Sequence, residues 1–208
     1  CTPLFRSLPV KKQFAFSDLK INRSEVFEPR VLLPCIVMAL TMYSYGTVLT
    51  ILPDFGDHVG ITNRGFLFSI FTIGSLSVRL LAGKASDRFG RKEVLMVSTF
   101  FGLCGMFILS VGTQPIYLIV GMAVYGLASG MTSPTLFAWA TDLSDPNKRG
   151  KGLASLYIFM ELGIGLGAIV SGFVYANDPS RFFSTFIMAG ALVSLAGRFR
   201  MYLQMKRA

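Results

Sequence analysis

Charge is what this sequence has least of. Of its 208 residues only 15% are Asp, Glu, Lys or Arg, against about 25% in an ordinary soluble domain. From Val94 to Thr141 there is none at all. A soluble domain has no means of covering such a stretch with polar surface, and a hydrophobic content of 52% excludes a disordered chain. Cysteine is scarce as well. Cys35 and Cys104 lie inside apolar runs and Cys1 opens the chain, so no disulfide framework is present. No C-x-x-C pair or Cys/His cluster has metal-ligand spacing, and His58 is the only histidine. The patterns G-x-S-x-G, H-E-x-x-H and G-x-x-x-x-G-K-S/T are missing, which removes the nucleophile elbow, the zinc-protease helix and the nucleotide loop. The chain does not read as an enzyme, and no cofactor or metal is expected.

What is present is apolar sequence in long runs, with a mean hydropathy of +0.58. A helix needs roughly 20 mostly apolar residues to cross about 30 Å of hydrocarbon. Six runs meet that need: Val31–Leu52, Gly65–Gly83, Val94–Gly112, Ile116–Thr141, Gly152–Ala176 and Phe182–Gly197. Arg79 interrupts the second and Glu161 the fifth. Thr113-Gln114-Pro115 divides the third from the fourth. The sixth is short and reaches full length if Arg198 and Arg200 snorkel and the helix runs on towards Leu203. The fold class read from this is an all-α integral membrane bundle of six transmembrane helices.

The net charge of +9 does not indicate nucleic acid, because the cations sit in the short connections between apolar runs. With six spans, seventeen lysines and arginines fall on one side and only Arg64 and Arg181 on the other. The positive-inside rule makes the rich side cytoplasmic, so both termini are expected there, in a plasma membrane or, for a bacterial protein, the inner membrane. Residues 1–30 read as a polar cytoplasmic segment without the apolar core of a signal peptide. Residues 31–208 form the helical unit. The chain opens on cysteine instead of methionine and reads as a fragment or a trimmed chain.

Between the second and third spans stands Gly83-Lys84-Ala85-Ser86-Asp87-Arg88-Phe89-Gly90-Arg91-Lys92. Gly83 lets a neighbouring helix come close. Asp87 is placed to cap a helix or to pair with Arg88 or Arg91. Gly90 supplies the positive φ of a tight turn between helices. Arg79, Gly83 and Asp87 recur every four residues on one helix face. This segment resembles the signature loop of the major facilitator superfamily, G-x-x-x-D-R-x-G-R-R/K, matched at Gly83, Asp87, Arg88, Gly90, Arg91 and Lys92. Tyr125 to Gly130, Pro134, Asp142 and Arg149-Gly150 resemble the family's fourth helix and the loop after it. Glu161-Leu162-Gly163-Ile164-Gly165-Leu166-Gly167 is similar to the acidic, glycine-alternating helix of drug-efflux-like members. The resemblance covers Leu32–Phe199.

The resemblance implies one half of a twelve-helix fold, with substrate held between two six-helix halves. The C-terminal half is favoured, because the polar lead resembles the long central loop and Met122 stands where N-terminal halves carry arginine. It implies a secondary active transporter working by alternating access. Its partners are a small-molecule substrate, protons, the lipid bilayer and the missing six-helix half. Proton-coupled antiport in the efflux direction is preferred. A proton-coupled sugar or metabolite uptake symporter, or a non-transporting membrane scaffold or sensor, is the alternative.

Glu161 lies near the membrane midplane, where an acid is a candidate proton carrier or a structural hydrogen-bonding group. Arg79 gates the interface of the halves or snorkels, and Asp87 stabilises one access state. Gly163, Gly165, Gly167 and Gly172 are expected to thin one helix face for close packing. In the family the first and fourth helices of each half line the cavity, so Tyr43, Thr47 and Thr50 on the first span and Tyr125, Ser129 and Ser133 on the fourth are the expected substrate residues. Hydrogen bonding within their own helices is the alternative role.

Overall fold

The computed structural model describes residues 27–205 apart from Thr62, and for residues 198–205 the backbone alone. The expected snorkelling of Arg198 and Arg200, and most of the polar lead, lie outside the described residues. After a single turn at Pro29–Val31 come α1 (Leu32–His58), α2 (Arg64–Phe89), α3 (Arg91–Ser110), α4 (Pro115–Leu143), α5 (Arg149–Tyr175), a turn at Pro179–Arg181 and α6 (Phe182–Met205). No strand occurs among the described residues. Six helices are long and apolar enough to cross a membrane. At about 1.5 Å per residue, the 27 residues of α1 reach about 40 Å.

The connections explain where each helix stops. Asn63 Oδ1 accepts the Phe66 N–H at 3.2 Å and opens α2. Gly90, at φ +95°, is at once the end of α2 and the start of α3, a conformation that L side chains rarely adopt. Pro115 occupies the first turn of α4, where its missing N–H costs nothing. Ala176 and Asn177 take the left-handed conformation after α5. Asp178 then accepts the Ser180 N–H at 3.0 Å and starts the turn into α6. The sixth helix continues past Gly197, as its short apolar run required.

Chain order does not decide which helices pack. The extensive pairings are α1 with α5, α2 with α4 and α3 with α4, followed by α3 with α6 and α1 with α6. Helices α2, α3 and α4 thus form one block, and α5, α6 and α1 a second. The blocks meet where α3 touches α6 and, sparsely, where α4 passes α1 and α5 and where α1 passes α2.

Three of the pairings bring backbone against backbone, α3 with α4 at Gly105, where a Cβ would stand 3.0 Å from Tyr125 Cα, and two more by paired glycines. A Cβ built on Gly163 would stand 2.9 Å from Ala39 Cα, and one on Gly167 3.0 Å from Tyr43 Cα; on the facing helix, Gly46 meets Ile164. The same arrangement recurs between α4 and α2. A Cβ on Gly126 would stand 3.2 Å from Phe71 Cα and one on Gly130 2.9 Å from Ser75 Cα, while Gly74 meets Ala123. Glycines four apart lie one above the other on a helix, which opens a shallow trough for a second backbone. Gly165 does not belong to this face. It lies two residues from each of Gly163 and Gly167, about 200° round the helix, and a Cβ there meets nothing.

The interior is apolar at both ends. Phe182 stacks between Phe55 and Tyr175, with ring centroids 4.4 and 4.9 Å away. Towards the other end Val31, Cys35, Met38, Leu95, Leu136 and Leu156 form a second buried cluster. The outer surfaces of α2 and α5 stay open: Leu80 is 81% exposed and Phe173 80%.

Candidate functional site

Three features of the bundle carry polar chemistry. The first is the pair of charges inside the spans. Arg79 is exposed on α2 and Glu161 exposed on α5, and neither has an ion pair or side-chain hydrogen bond among the described residues. Glu161 stands twelve residues into α5, about 18 Å from its start, and Arg79 ten residues from the end of α2, about 15 Å. Both distances are measured from the same end of the bundle, the one that carries Lys84, Arg88, Lys92 and Arg149. The two charges therefore lie at nearly one depth on the two helices with the smallest buried share. Glu161 sits in an apolar groove of about 650 Å³ with Tyr157, Ile158, Leu162, Gly165 and Leu166. Gly165 makes room in this groove by lacking a side chain.

The second feature is the α2–α3 turn. Of the two partners open to Asp87, the structure pairs it with Arg91, one helical turn on. Arg91 does more than close the turn. Its Nε donates to Asp142 Oδ2 at the end of α4 at 3.0 Å, and an Nη donates to Ser86 Oγ at 2.9 Å. One planar guanidinium thus ties the ends of α2, α3 and α4 together, which a lysine has no geometry to do. Arg88 stands over the Phe89 ring, 5.5 Å from its centroid. Lys92 is exposed, and a Cβ at Gly83 meets nothing.

The third is a polar cavity of about 20 Å³ at the seam of the two blocks, room for a single water and not for a substrate. Thr41 and Ser44 of α1, Ser98 and Thr99 of α3, and Ser129 and Thr132 of α4 line it with Tyr125. Ser44 Oγ lies 2.9 Å from Tyr125 Oη and 2.6 Å from the Thr41 carbonyl. The carbonyl takes the only serine proton, so Tyr125 donates to Ser44.

The residues expected around a substrate are divided by this geometry. Tyr125 and Ser129 line the cavity, with Tyr125 buried. Tyr43 and Thr47 are buried on α1. The Tyr43 backbone carries Gly167, and Thr47 Oγ1 donates to the Tyr43 carbonyl at 3.2 Å. Thr50 donates to the Gly46 carbonyl at 3.0 Å and faces Gly172. Ser133 is half-buried on α4. The sequence reading missed Ser44, Ser98 and Asp142 as partners. It also missed Glu28, a buried acid whose backbone N–H donates to Ser155 Oγ at 3.0 Å and whose carboxylate lies 3.9 Å from Lys151. Its signal was its position, one residue ahead of the proline that starts the first turn. Among the described residues no group of three His, Cys, Asp or Glu side chains is placed to hold a metal.

The family model described as Major Facilitator Superfamily matches residues 34–205. The chain belongs to that superfamily. Proteins similar to it include facilitated glucose transporter member 10 of solute carrier family 2 from Danio rerio, 28% identical over 162 residues. That match covers 74% of this chain and 31% of the relative. The uncharacterized MFS-type transporter YhhS of Escherichia coli (strain K12) is 25% identical over 169 residues, 80% of this chain and 41% of the relative. Among solved structures, the peptide transporter POT in complex with sulfate superposes with a TM-score of 0.73 at 19% identity, over 85% of this chain and 38% of that one. That likeness is one of fold. The chain spans well under half the length of each of these proteins.

Proposed function

We propose that this chain is one half of a secondary active transporter that moves a small molecule by alternating access, coupled to protons in the export direction. The observation that carries the reading is the pair of unpartnered charges, Arg79 and Glu161, at one depth on the two least covered helices. A charge facing hydrocarbon at that depth is costly, so these faces are read as the walls of a water-filled passage or of a contact with the other half. Glu161, in its open groove, is the coupling acid, taking up a proton in one access state and releasing it in the other. Arg79 acts at the gate. Asp87, through Arg91 and Asp142, holds the ends of α2, α3 and α4 in one access state. Tyr125, Ser129 and Ser133, with Tyr43, Thr47 and Thr50, shape the substrate path from α1 and α4. The chain is taken as the C-terminal half, residues 1–30 as the central loop, and the basic end as cytoplasmic in a plasma membrane.

The test uses the twelve-helix protein in liposomes with an imposed proton gradient. Ethidium serves as the export probe and radiolabelled glucose as the uptake probe. Glu161→Gln is expected to abolish gradient-driven accumulation while substrate-for-substrate exchange partly survives, and Glu161→Asp to retain some coupling. If Glu161→Gln accumulates probe against its gradient like the parent, Glu161 is not the coupling residue. A second reading, sugar uptake, draws on the likeness to a facilitated glucose transporter. It predicts glucose entry and no ethidium export in the same liposomes.

A further inference from the structure

Around the small cavity at the seam, nearly every hydroxyl proton is already committed. Thr41 donates to the Val37 carbonyl at 2.9 Å, Ser98 and Thr99 to the Leu95 carbonyl at 3.0 and 2.7 Å, and Thr132 to the Ala128 carbonyl at 2.8 Å. Ser44 donates to the Thr41 carbonyl and receives the Tyr125 proton. A hydroxyl that has given its proton away keeps only lone pairs to offer. The oxygens of these six residues line the cavity as acceptors alone. Ser129 is the one lining hydroxyl without a hydrogen bond among the described residues.

Position makes such a set of oxygens costly. Ser44 is the thirteenth of the 27 residues of α1 and Ser129 the fifteenth of the 29 of α4, so the cavity lies at mid-span. Bulk water does not satisfy lone pairs at that depth. No Asp, Glu, Lys or Arg lines the cavity. A water molecule brings only two protons to these acceptors, and its own lone pairs find only Ser129. A small hard cation reverses the count, because it takes oxygen ligands and needs a proton from none of them. The volume of about 20 Å³ admits one such ion stripped of its water. A divalent ion needs carboxylates to offset its dehydration, and none is there. We propose that the seam cavity is a binding site for one dehydrated sodium ion, ligated by hydroxyls of α1, α3 and α4. The ion ties α1 of one block to α3 and α4 of the other, and its site shares no residue with the groove of Glu161.

The chain in detergent micelles is unfolded by heat in sodium, potassium or choline chloride at equal concentration, followed by the fluorescence of Trp139, the only tryptophan. Sodium should raise the midpoint over choline by about 2–4 °C, the shift for an ion at about fivefold excess over its Kd. Potassium, too large for the cavity, should leave the midpoint at the choline value. Ser98→Ala and Thr132→Val, made separately, each delete one ligand and leave the helix bonds in place, so each should remove most of the sodium shift. Thr141→Val deletes a hydroxyl bonded in the same way on α4 but outside the cavity, and should keep the shift in full. Three results overturn the proposal: equal midpoints in sodium and choline, an equal rise in potassium, or a sodium shift unchanged in both Ser98→Ala and Thr132→Val. The first leaves water as the occupant, the second is a general effect of salt, and the third puts the ion elsewhere.

Discussion

Gly167→Ala and Gly165→Ala are one chemical change made two residues apart on one helix, and the structure assigns them opposite signs. A Cβ on Gly167 lands 2.9 Å from the Tyr43 carbonyl carbon and 3.0 Å from its Cα, whereas carbon–carbon contacts settle at about 3.5–4.0 Å. Backbone atoms have no alternative rotamer, so α5 must back away from α1 by about 0.5–1 Å. A gap of that size forfeits about a quarter to a half of each dispersion contact it opens. The loss recurs at Gly163 and Gly46, and the overpacking cost is about 1–3 kcal/mol. A Cβ on Gly165 meets nothing. Both changes gain the same helix propensity, about 1 kcal/mol, so their difference isolates the packing cost. Unfolding by SDS titration in mixed micelles should place Gly165→Ala at or above the parent and Gly167→Ala about 1–3 kcal/mol below Gly165→Ala. Equal stabilities would mean that α1 and α5 are not seated on these glycines.

The buried hydroxyl pair gives an asymmetric result: Tyr125→Phe leaves Ser44 still donating to Thr41 and costs about 1 kcal/mol, whereas Ser44→Ala strands the Tyr125 proton and costs about 1–3 kcal/mol by the same unfolding assay. Equal costs would show that water in the cavity replaces either partner. The exposed fork at Arg91 is worth little by itself, so a double-mutant cycle of Arg91→Gln with Asp142→Asn should give a coupling of about 0.5–1 kcal/mol, falling as salt is added. At the α5–α6 turn, hydrogen bonds from Ser180, with Arg181 nearby, hold the Asp178 carboxyl below its ordinary range. A lowered folded value contributes stability above the unfolded value and loses it as pH falls through the folded one, so protection of the Ser180 amide relative to its intrinsic exchange should fall below about pH 4. Unchanged protection would detach the turn from that carboxylate. Single cysteines at the exposed positions Lys84 and Asn147 should label from one face of the membrane and those at His58 and Ser180 from the other; Lys84 and His58 reacting from the same face would break the six-span topology.

Six helices and their breaks were legible because charge, Arg79 and Glu161 apart, is kept out of the spans, and the family was legible in the loop from Gly83 to Lys92. The turn at Gly90 was legible because only one residue type takes that backbone conformation freely. Which way each helix faces was harder to read. In water an amphipathic period points at the core, but in a bilayer the outer face is apolar too, and the period fades. Gly163, Gly165 and Gly167 therefore looked like one face, although 3.6 residues per turn puts the middle one on the opposite side. Tyr43 and Thr47 are buried and Thr47 bonds to its own helix, and a threonine hydroxyl satisfied in that way reads the same in sequence as one awaiting a ligand. Ser44 with Tyr125, and Arg91 with Asp142, are bonds across long stretches of chain that no local spacing announces.

The seam between the two three-helix blocks has a mechanical meaning. Between α1 and α5, and between α2 and α4, backbone carbonyls sit against glycines, and neither helix of a pair slides past the other without a steric clash. At the seam, Thr41, Ser98 and Thr132 turn their hydroxyls back to carbonyls of their own helices. Away from the helix ends, Ser44 to Tyr125 is the one side-chain hydrogen bond among the described residues that crosses between α1 and α4. The close contacts made at glycines across the seam are with side chains, Gly102 with Val193, Gly190 with Met106 and Gly197 with Thr99, which have room to turn aside where a backbone has none.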